Sequence, residues 1–424
     1  MPRPRKRNAG QGSRFRGSRR RETPEALLAA AASSLVEQLR REATGLAAHP
    51  DPLEAELVAS GTLAMWRADP IEDRRPLDRL GTAVLATLGA RPGPDVLAVL
   101  VAIASMADPP FAEAARAAID RCRAAGVQEP SWSRSIGRPL LIDAWISTDE
   151  LDDQSHVLAA FAYDRRPPHA LNVMIDANFQ GLIRGAFVAD NPDKVQREWI
   201  DVSGLPIRPL SEQALADFLG RGVEWFDRYT EPPVSDEAIQ LMPLIRSRLR
   251  LLPDPREIEI PETSEAERDD LLAAFATSPE AAGLPPAAAG PGADIARWFI
   301  DFACDYGAGD PLRWSPIAVE ILLSDWLPRK VILEPAEVEA LPEVLRRYVR
   351  YSGRRKGLAD EVFGETLEAV DQFTSEFLEG MSDDGRAGPA KEIALGLRAA
   401  GIDLTDEAAV QGWIDQRNAR LGGE

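Results

Sequence analysis

The rhythm of apolar and polar positions changes twice along this chain. From Glu25 to Val127 apolar residues recur at helical spacing, from Arg138 to Val188 they alternate with period two, and beyond Val188 the helical spacing returns. A period of two sends successive side chains to opposite faces of a strand. A period near 3.6 gathers them on one face of a helix. The middle stretch therefore predicts a sheet, and the flanks predict helical bodies.

Four runs in the middle stretch read as strands: Leu140–Ser147, His156–Tyr163, Ala170–Asp176 and Leu182–Val188. They are enriched in β-branched and aromatic residues, which pack well on a pleated surface. Asp164-Arg165-Arg166-Pro167-Pro168 cannot continue a central strand, because proline has no amide hydrogen for the ladder. Asn178-Phe179-Gln180-Gly181 supplies turn residues. Links this short cannot cross over a sheet, so neighbouring strands are expected to pair antiparallel.

Alternation assigns faces. Leu171, Val173 and Ile175 fall on one side of the third run and Asn172, Met174 and Asp176 on the other. The fourth run divides into Ile183, Gly185 and Phe187 against Leu182, Arg184, Ala186 and Val188, and in the first run Asp143 joins the side of Leu141 and Trp145. One face is then mostly apolar and awaits a cover of helices. The other is mixed, and a suitable register would bring Asp143, Asn172, Asp176 and Arg184 onto a common surface.

The region before the sheet predicts five helices, one of them opened by Asp51 as N-cap with Pro52 in the first turn. In the first helix Leu27, Leu28, Ala31, Leu35 and Leu39 form the expected stripe, and Asp95 to Met106 is apolar nearly all round, as a central helix would be. After the sheet, Asn191-Pro192 starts a helix to about Ile200, and Gly204 to Leu210 is an extended piece. Ser211 and Ser235 cap two helices whose apolar stripes suit the sheet's apolar face. Prolines punctuate 254–292, around one helix at Ser264 to Ala276, and six helical segments follow from Ala293. The expected fold class is α+β: a four-stranded antiparallel sheet backed by helices, flanked by an N-terminal helical subdomain and a C-terminal helical bundle. The expected organisation is a tail at 1–22, a helical subdomain at 23–130, the sheet with its covering helices at 137–253, a Pro/Ala-rich linker at 254–292 and a helical domain at 293–424.

Charge changes this picture at one end. Arg3, Arg5, Lys6, Arg7, Arg14, Arg16, Arg19, Arg20 and Arg21 face a single carboxylate, Glu22, so residues 1–22 carry +8. The whole chain carries −19, which leaves −27 on the remainder. The tail holds little to bury and is expected to be disordered in isolation. Arginines interleaved with Gly, Ser and Phe15 suit phosphate backbones, where guanidinium forks meet phosphate oxygens and counterions are released. Nucleic acid or an acidic protein is the partner this implies. The same charge run fits a solvated extension, or one lying on the protein's own acidic body.

Composition excludes other classes. Two cysteines, Cys122 and Cys304, cannot staple 424 residues and are expected as reduced thiols. The most apolar stretch, Val96 to Met106, falls short of the ~18 residues a membrane span requires. Arg19-Arg20-Arg21 before Ala26-Leu27-Leu28-Ala29 superficially suggests an export signal, but Glu22 and Glu25 interrupt it, and the cytoplasm is the expected compartment.

Two stretches, His169-Ala170-Leu171-Asn172-Val173-Met174-Ile175-Asp176 leading to Gly181-Leu182-Ile183-Arg184, and Trp314-Ser315-Pro316 through Asp325-Trp326-Leu327-Pro328-Arg329-Lys330, resemble segments of proteins from high-GC Gram-positive bacteria to which no activity is assigned. The resemblance implies a cytoplasmic bacterial protein and brings no catalytic residue with it.

Candidate chemistry is sparse. Asp143 and Asp176 as a carboxylate pair would suit a hard cation or acid–base work, with Arg184 orienting an anionic substrate. Solvent contact on an antiparallel sheet predicts the same alternation. His49, His156 and His169 lack the further ligands a zinc site needs, so neither metal nor cofactor is expected. Gly-containing loops such as Asp305–Pro311 lack the Lys-Ser/Thr of a phosphate loop. Arg346, Arg347, Arg350, Arg354, Arg355 and Lys356 offer a contact surface or a charged helix end complementing the dipole, and the second reading is favoured. The leading expectation is a binding or regulatory protein, nucleic-acid-associated through its tail; a hydrolase-like enzyme using the polar sheet face is the alternative.

Overall fold

The computed structural model describes residues 24–67, 74–257, 262–284, 295–403 and 406–421; the basic segment 1–22 lies outside the described residues. The described residues fall into two compact units, meeting in sequence between Arg134 and Ser135.

The first unit is helical: α1 (Pro24–Glu42), α2 (Pro52–Ala64), α3 (Arg75–Gly89), α4 (Pro94–Met106) and α5 (Phe111–Ala124). Asp51 caps α2 as its sequence implied, its Oδ1 accepting from Leu53 N at 3.0 Å, with Pro52 in the first turn. The all-round apolar α4 packs against α2 and α5, and Leu97, Ala98, Val99, Leu100 and Ile103 are fully enclosed. In α1 the buried stripe is Ala32, Val36 and Leu39, continued by Ala43 just past its end and turned by about one residue from the stripe expected. Leu35 is left half-buried, because an alanine-rich helix offers two adjacent apolar stripes and packing selects between them.

The second unit contains an antiparallel sheet of β1 (Leu140–Thr148), β2 (Gln154–Ala162), β3 (His169–Asp176), β4 (Leu182–Ala189) and β5 (Ile207–Pro209), in the order β4-β3-β2-β1-β5. The four expected strands form the meander. The extended piece after Gly204 adds a fifth, which pairs only with Trp145, Ile146 and Ser147 of β1. Helices α7 (Glu212–Arg228) and α8 (Asp236–Leu249) cover the apolar face, each opened by its expected serine cap, Ser211 or Ser235. Their Leu215, Leu219, Phe226, Met242 and Ile245 bury Val157, Phe161, Leu171, Val173 and Ile175. The second face receives α6 (Pro192–Ser203), whose Val195 and Trp199 pack on Leu158, Ala170 and Trp145.

Two bulges revise the face assignments. In β1 the register skips from Leu141 to Asp143, leaving Ile142 unpaired and 53% exposed. Leu141 therefore packs into the apolar core while Asp143 and Trp145 lie on the opposite face. In β4 the skip falls between Ile183 and Gly185, so Arg184 is the extra residue; Ile183, Ala186 and Val188 share the apolar face, and Gly185 and Phe187 the other. An inserted residue inverts the alternation on one side of it.

The sheet and the C-terminal helices fall into one compact unit. Within it α9 (Glu265–Ala276) starts at a capping box, with Ser264 N donating to Glu267 Oε2 at 2.8 Å. Beyond come α10 (Ile295–Asp305) and α11, which runs from Pro316–Glu320 through a π-helical turn, Ile321–Trp326, into Leu327–Lys330. They are followed by α12 (Pro335–Lys356), α13 (Asp360–Ser382), α14 (Pro389–Ala399) and α15 (Glu407–Leu421). Phe299, Trp314, Tyr348 and Phe377 anchor this helical core.

Candidate functional site

Cross-strand pairing organises the second face of the sheet into rows. Asp143 lies opposite Ala160, which lies opposite Ala170; Asn172 lies opposite Leu158 and Phe187; Asp176 lies opposite Gln154 and Leu182. Asp143 and Asp176 thus share a face but sit six residues apart along β3, about 20 Å at 3.3 Å per residue. Asp143 is exposed beside the bulge, Asn172 is 2% exposed beneath α6, and Asp176 is fully buried at the far end of the sheet. The four residues expected on a common surface therefore separate into three places, and only Asp176 and Arg184 meet.

Their meeting is structural in geometry. Arg184 donates from Nη1 to Asp176 Oδ2 at 3.0 Å and from Nε to Pro233 O at 2.9 Å, with its guanidinium 4.7 Å from the centre of the Phe179 ring. Asp176 Oδ1 accepts from Asn178 N at 2.9 Å, fixing the turn Ala177–Phe179. Both carboxylate oxygens have donors, and the bulge in β4 aims Arg184 at them.

A second buried cluster lies next to this one. Asp153 Oδ1 accepts from Arg313 Nη2 and, at 2.8 Å, from Asn178 Nδ2. Arg313 also donates from Nε to Leu151 O at 2.9 Å and from Nη1 to Asn178 Oδ1 at 3.2 Å. Asp153 and Arg313 are both buried. Burial pushes the Asp153 carboxyl above its usual range, against the opposing pull of the Ser315 hydroxyl, the Arg313 charge and Asn178. Ser315 is itself the N-cap of α11, its Oγ accepting from Ala318 N at 3.1 Å. The cluster thus ties the β1–β2 and β3–β4 turns to the start of α11. A cavity of ≈ 20 Å³ bordered by Asn178, Arg313, Phe302 and Trp314 has room for about one water molecule and no substrate.

Under α6, His156 Nδ1, Asn172 Nδ2 and Gln196 Nε2 are buried without a hydrogen-bond partner among the described residues. Trp199 lies over His156 at 5.5 Å between ring centres. Burial lowers the His156 pKa, outweighing the neighbouring Asn172 amide and the more distant Asp149 charge. At the other end of β3, His169 lies against Tyr163 and Phe161 with the fully buried Arg248 beside it, whose Nη2 donates to Tyr163 Oη at 3.0 Å.

Among the described residues no group of three or more His, Cys, Asp and Glu side chains is placed to hold a metal ion, and no helix is long and apolar enough to cross a membrane. Four of the six cations in the basic run on α12 meet carboxylates: Arg346 pairs with Glu343 and Asp371, Arg347 with Glu343, Arg354 with Glu280 and Lys356 with Asp310. Sequence reasoning passed over Asp153, Asn178 and Arg313. Asn178 was read only as a turn residue, and nothing local links Asp153 to an arginine 160 positions away. Compared with protein families, curated proteins and solved structures, the chain matches none.

Proposed function

We propose that this chain is a cytoplasmic bacterial protein that works by binding, and that residues 1–22 are its contact with nucleic-acid phosphates. The observation that carries the reading is the charge separation: +8 on 22 residues against −27 on the remainder. An acidic body repels a polyanion, so the tail is the element suited to supply affinity. The sheet carboxylates support the same reading from the other side. Asp176 is consumed by Arg184 and the turn after β3, and Asp143 stands about 20 Å from it along the sheet.

Binding of this kind is backbone-driven and blind to sequence. The logarithm of its affinity falls by about 0.7–0.9 per phosphate neutralised per decade of salt. The test titrates the full chain and a chain lacking residues 1–22 with labelled single- and double-stranded DNA and RNA at two salt concentrations, with polyglutamate as a second polyanion. Binding by the full chain alone, steeply salt-dependent and tighter for nucleic acid, is expected. No binding at low salt, equal binding by the truncated chain, or a preference for polyglutamate would overturn it.

A further inference from the structure

Within the second unit, an open groove of about 600 Å³ runs between α7 and the strap that follows α8, with the turn between β3 and β4 as one wall. Its volume lies in the range of small-molecule sites. Arg221, Arg228 and Arg256 line it with two carboxylates, Glu224 and Glu257, beside Trp225, Leu249 and Pro255.

The three arginines are not equivalent. Arg256 is bound to Asp217, whose carboxyl it holds down at about 2, and Arg228 pairs with Glu224 while lying 4.5 Å over the Trp225 ring. Arg221 has no carboxylate within ion-pair distance among the described residues. Its guanidinium is half-buried and donates from Nε to Gln180 O at 2.6 Å and from Nη2 to Gln180 Oε1 at 3.4 Å. Gln180 is fixed in turn, with φ at 60° and its own amide donating to Gly307 O at 2.6 Å. These bonds leave Nη1 uncommitted and the fork held in place.

The local sequence explains why the site is built here. Gly220 and Gly222 flank Arg221, and a side chain at either would collide: a Cβ on Gly220 would lie 2.5 Å from Pro255 Cβ, and one on Gly222 would lie 2.4 Å from Ile183 Cγ1. The two glycines let the strap and the sheet close on α7 from both sides, with Arg221 between them. Burial depresses the Arg221 pKa, outweighing the opposing pull of the nearby Glu224 charge.

We propose that this groove binds a small organic oxyanion, a carboxylate or phosphate monoester, with its head group on Arg221 and its flat or apolar body against Trp225, Leu249 and Pro255. Glu224 acts on Arg221 only from a distance and is paired with Arg228, so an oxyanion supplies the direct ion pair that Arg221 lacks and can take two parallel bonds from a guanidinium edge, which a lysine cannot offer. The site is independent of the N-terminal tail.

The test uses the full chain with benzoate, phenyl phosphate and inorganic phosphate as probes, read by saturation-transfer NMR and calorimetry. At least one aromatic probe is expected to bind, and the better of the two identifies the head group. Arg221→Lys should weaken it by about tenfold, the worth of one charge-assisted hydrogen bond. Trp225→Ala should weaken the aromatic probes and leave inorganic phosphate unchanged. Because Arg221 also steadies the turn at Gln180, the variant is first checked by circular dichroism. If it misfolds, protection of wild-type Arg221 from phenylglyoxal by the probe, read by peptide mass, replaces it. Absence of binding at millimolar probe, affinity unchanged in Arg221→Lys, or no protection would overturn the proposal.

Discussion

His169 is expected to make the second unit acid-sensitive in a way that one substitution removes. The imidazole is 4% exposed, stacks on Tyr163 at 5.5 Å between ring centres, and has its Nε2 3.5 Å from Arg248 Nη2. Burial first, and the Arg248 charge second, hold its pKa down to about 3, from an ordinary value of 6.5. Above pH 6.5 both folded and unfolded chains carry a neutral ring, and the group contributes nothing. Below it the unfolded chain takes up a proton that the folded chain refuses, so stability falls with pH until about pH 3. Between pH 7.5 and 5.0 the linkage amounts to about 2 kcal/mol. Urea unfolding of wild type and His169→Gln at those two pH values measures it, and the variant should lose about 2 kcal/mol less. The chain has three histidines, so NMR titration of the imidazole protons identifies the ring directly. An equal pH loss in both proteins, or a His169 resonance titrating near 6.5, would refute the reasoning.

Other consequences follow from burial. Arg313→Ala strands Asp153 and Asn178 without their guanidinium and should cost about 3–5 kcal/mol in chemical denaturation; the double variant Asp153→Leu/Arg313→Met should recover most of that loss, and no recovery would show that the arginine acts through packing alone. Cys122 is fully buried and Cys304 half-buried, and burial raises both thiol pKa values. Alkylation of the native protein should be slow, with Cys304 reacting before Cys122, and intact mass should show two added groups after denaturation. Loss of either reactive thiol would reveal an unforeseen bond.

The meander, the serine caps of α7 and α8 and the apolar character of α4 were legible, because each depends on residues close in sequence. Leu171, Val173 and Ile175 alternate without interruption, and their face came out as expected. Leu141 and Arg184 did not, because one bulged residue in each strand shifts the parity and an apolar pattern records no such insertion. The candidate surface failed to assemble for a related reason. Asp143 and Asp176 each alternate correctly, but their separation depends on register, which the strands acquire only by pairing. The fifth strand has three residues, too few to show any period. Arg221 and Arg313 were invisible as site residues, since what distinguishes them is the company they keep across the fold.

The Arg313 cluster also sets a timetable. Asp153 and its partner are 160 residues apart, and the Leu151 carbonyl waits for the same side chain. At ribosomal speeds of about 5–20 residues per second, roughly 10–30 s separate the emergence of the carboxylate from that of the guanidinium. The sheet can pair its strands in that interval, because their links are short, but the β1–β2 and β3–β4 turns stay unlatched until the segment bearing Arg313 arrives. A chain released before Arg313 would hold the Asp153 carboxylate through Asn178 alone.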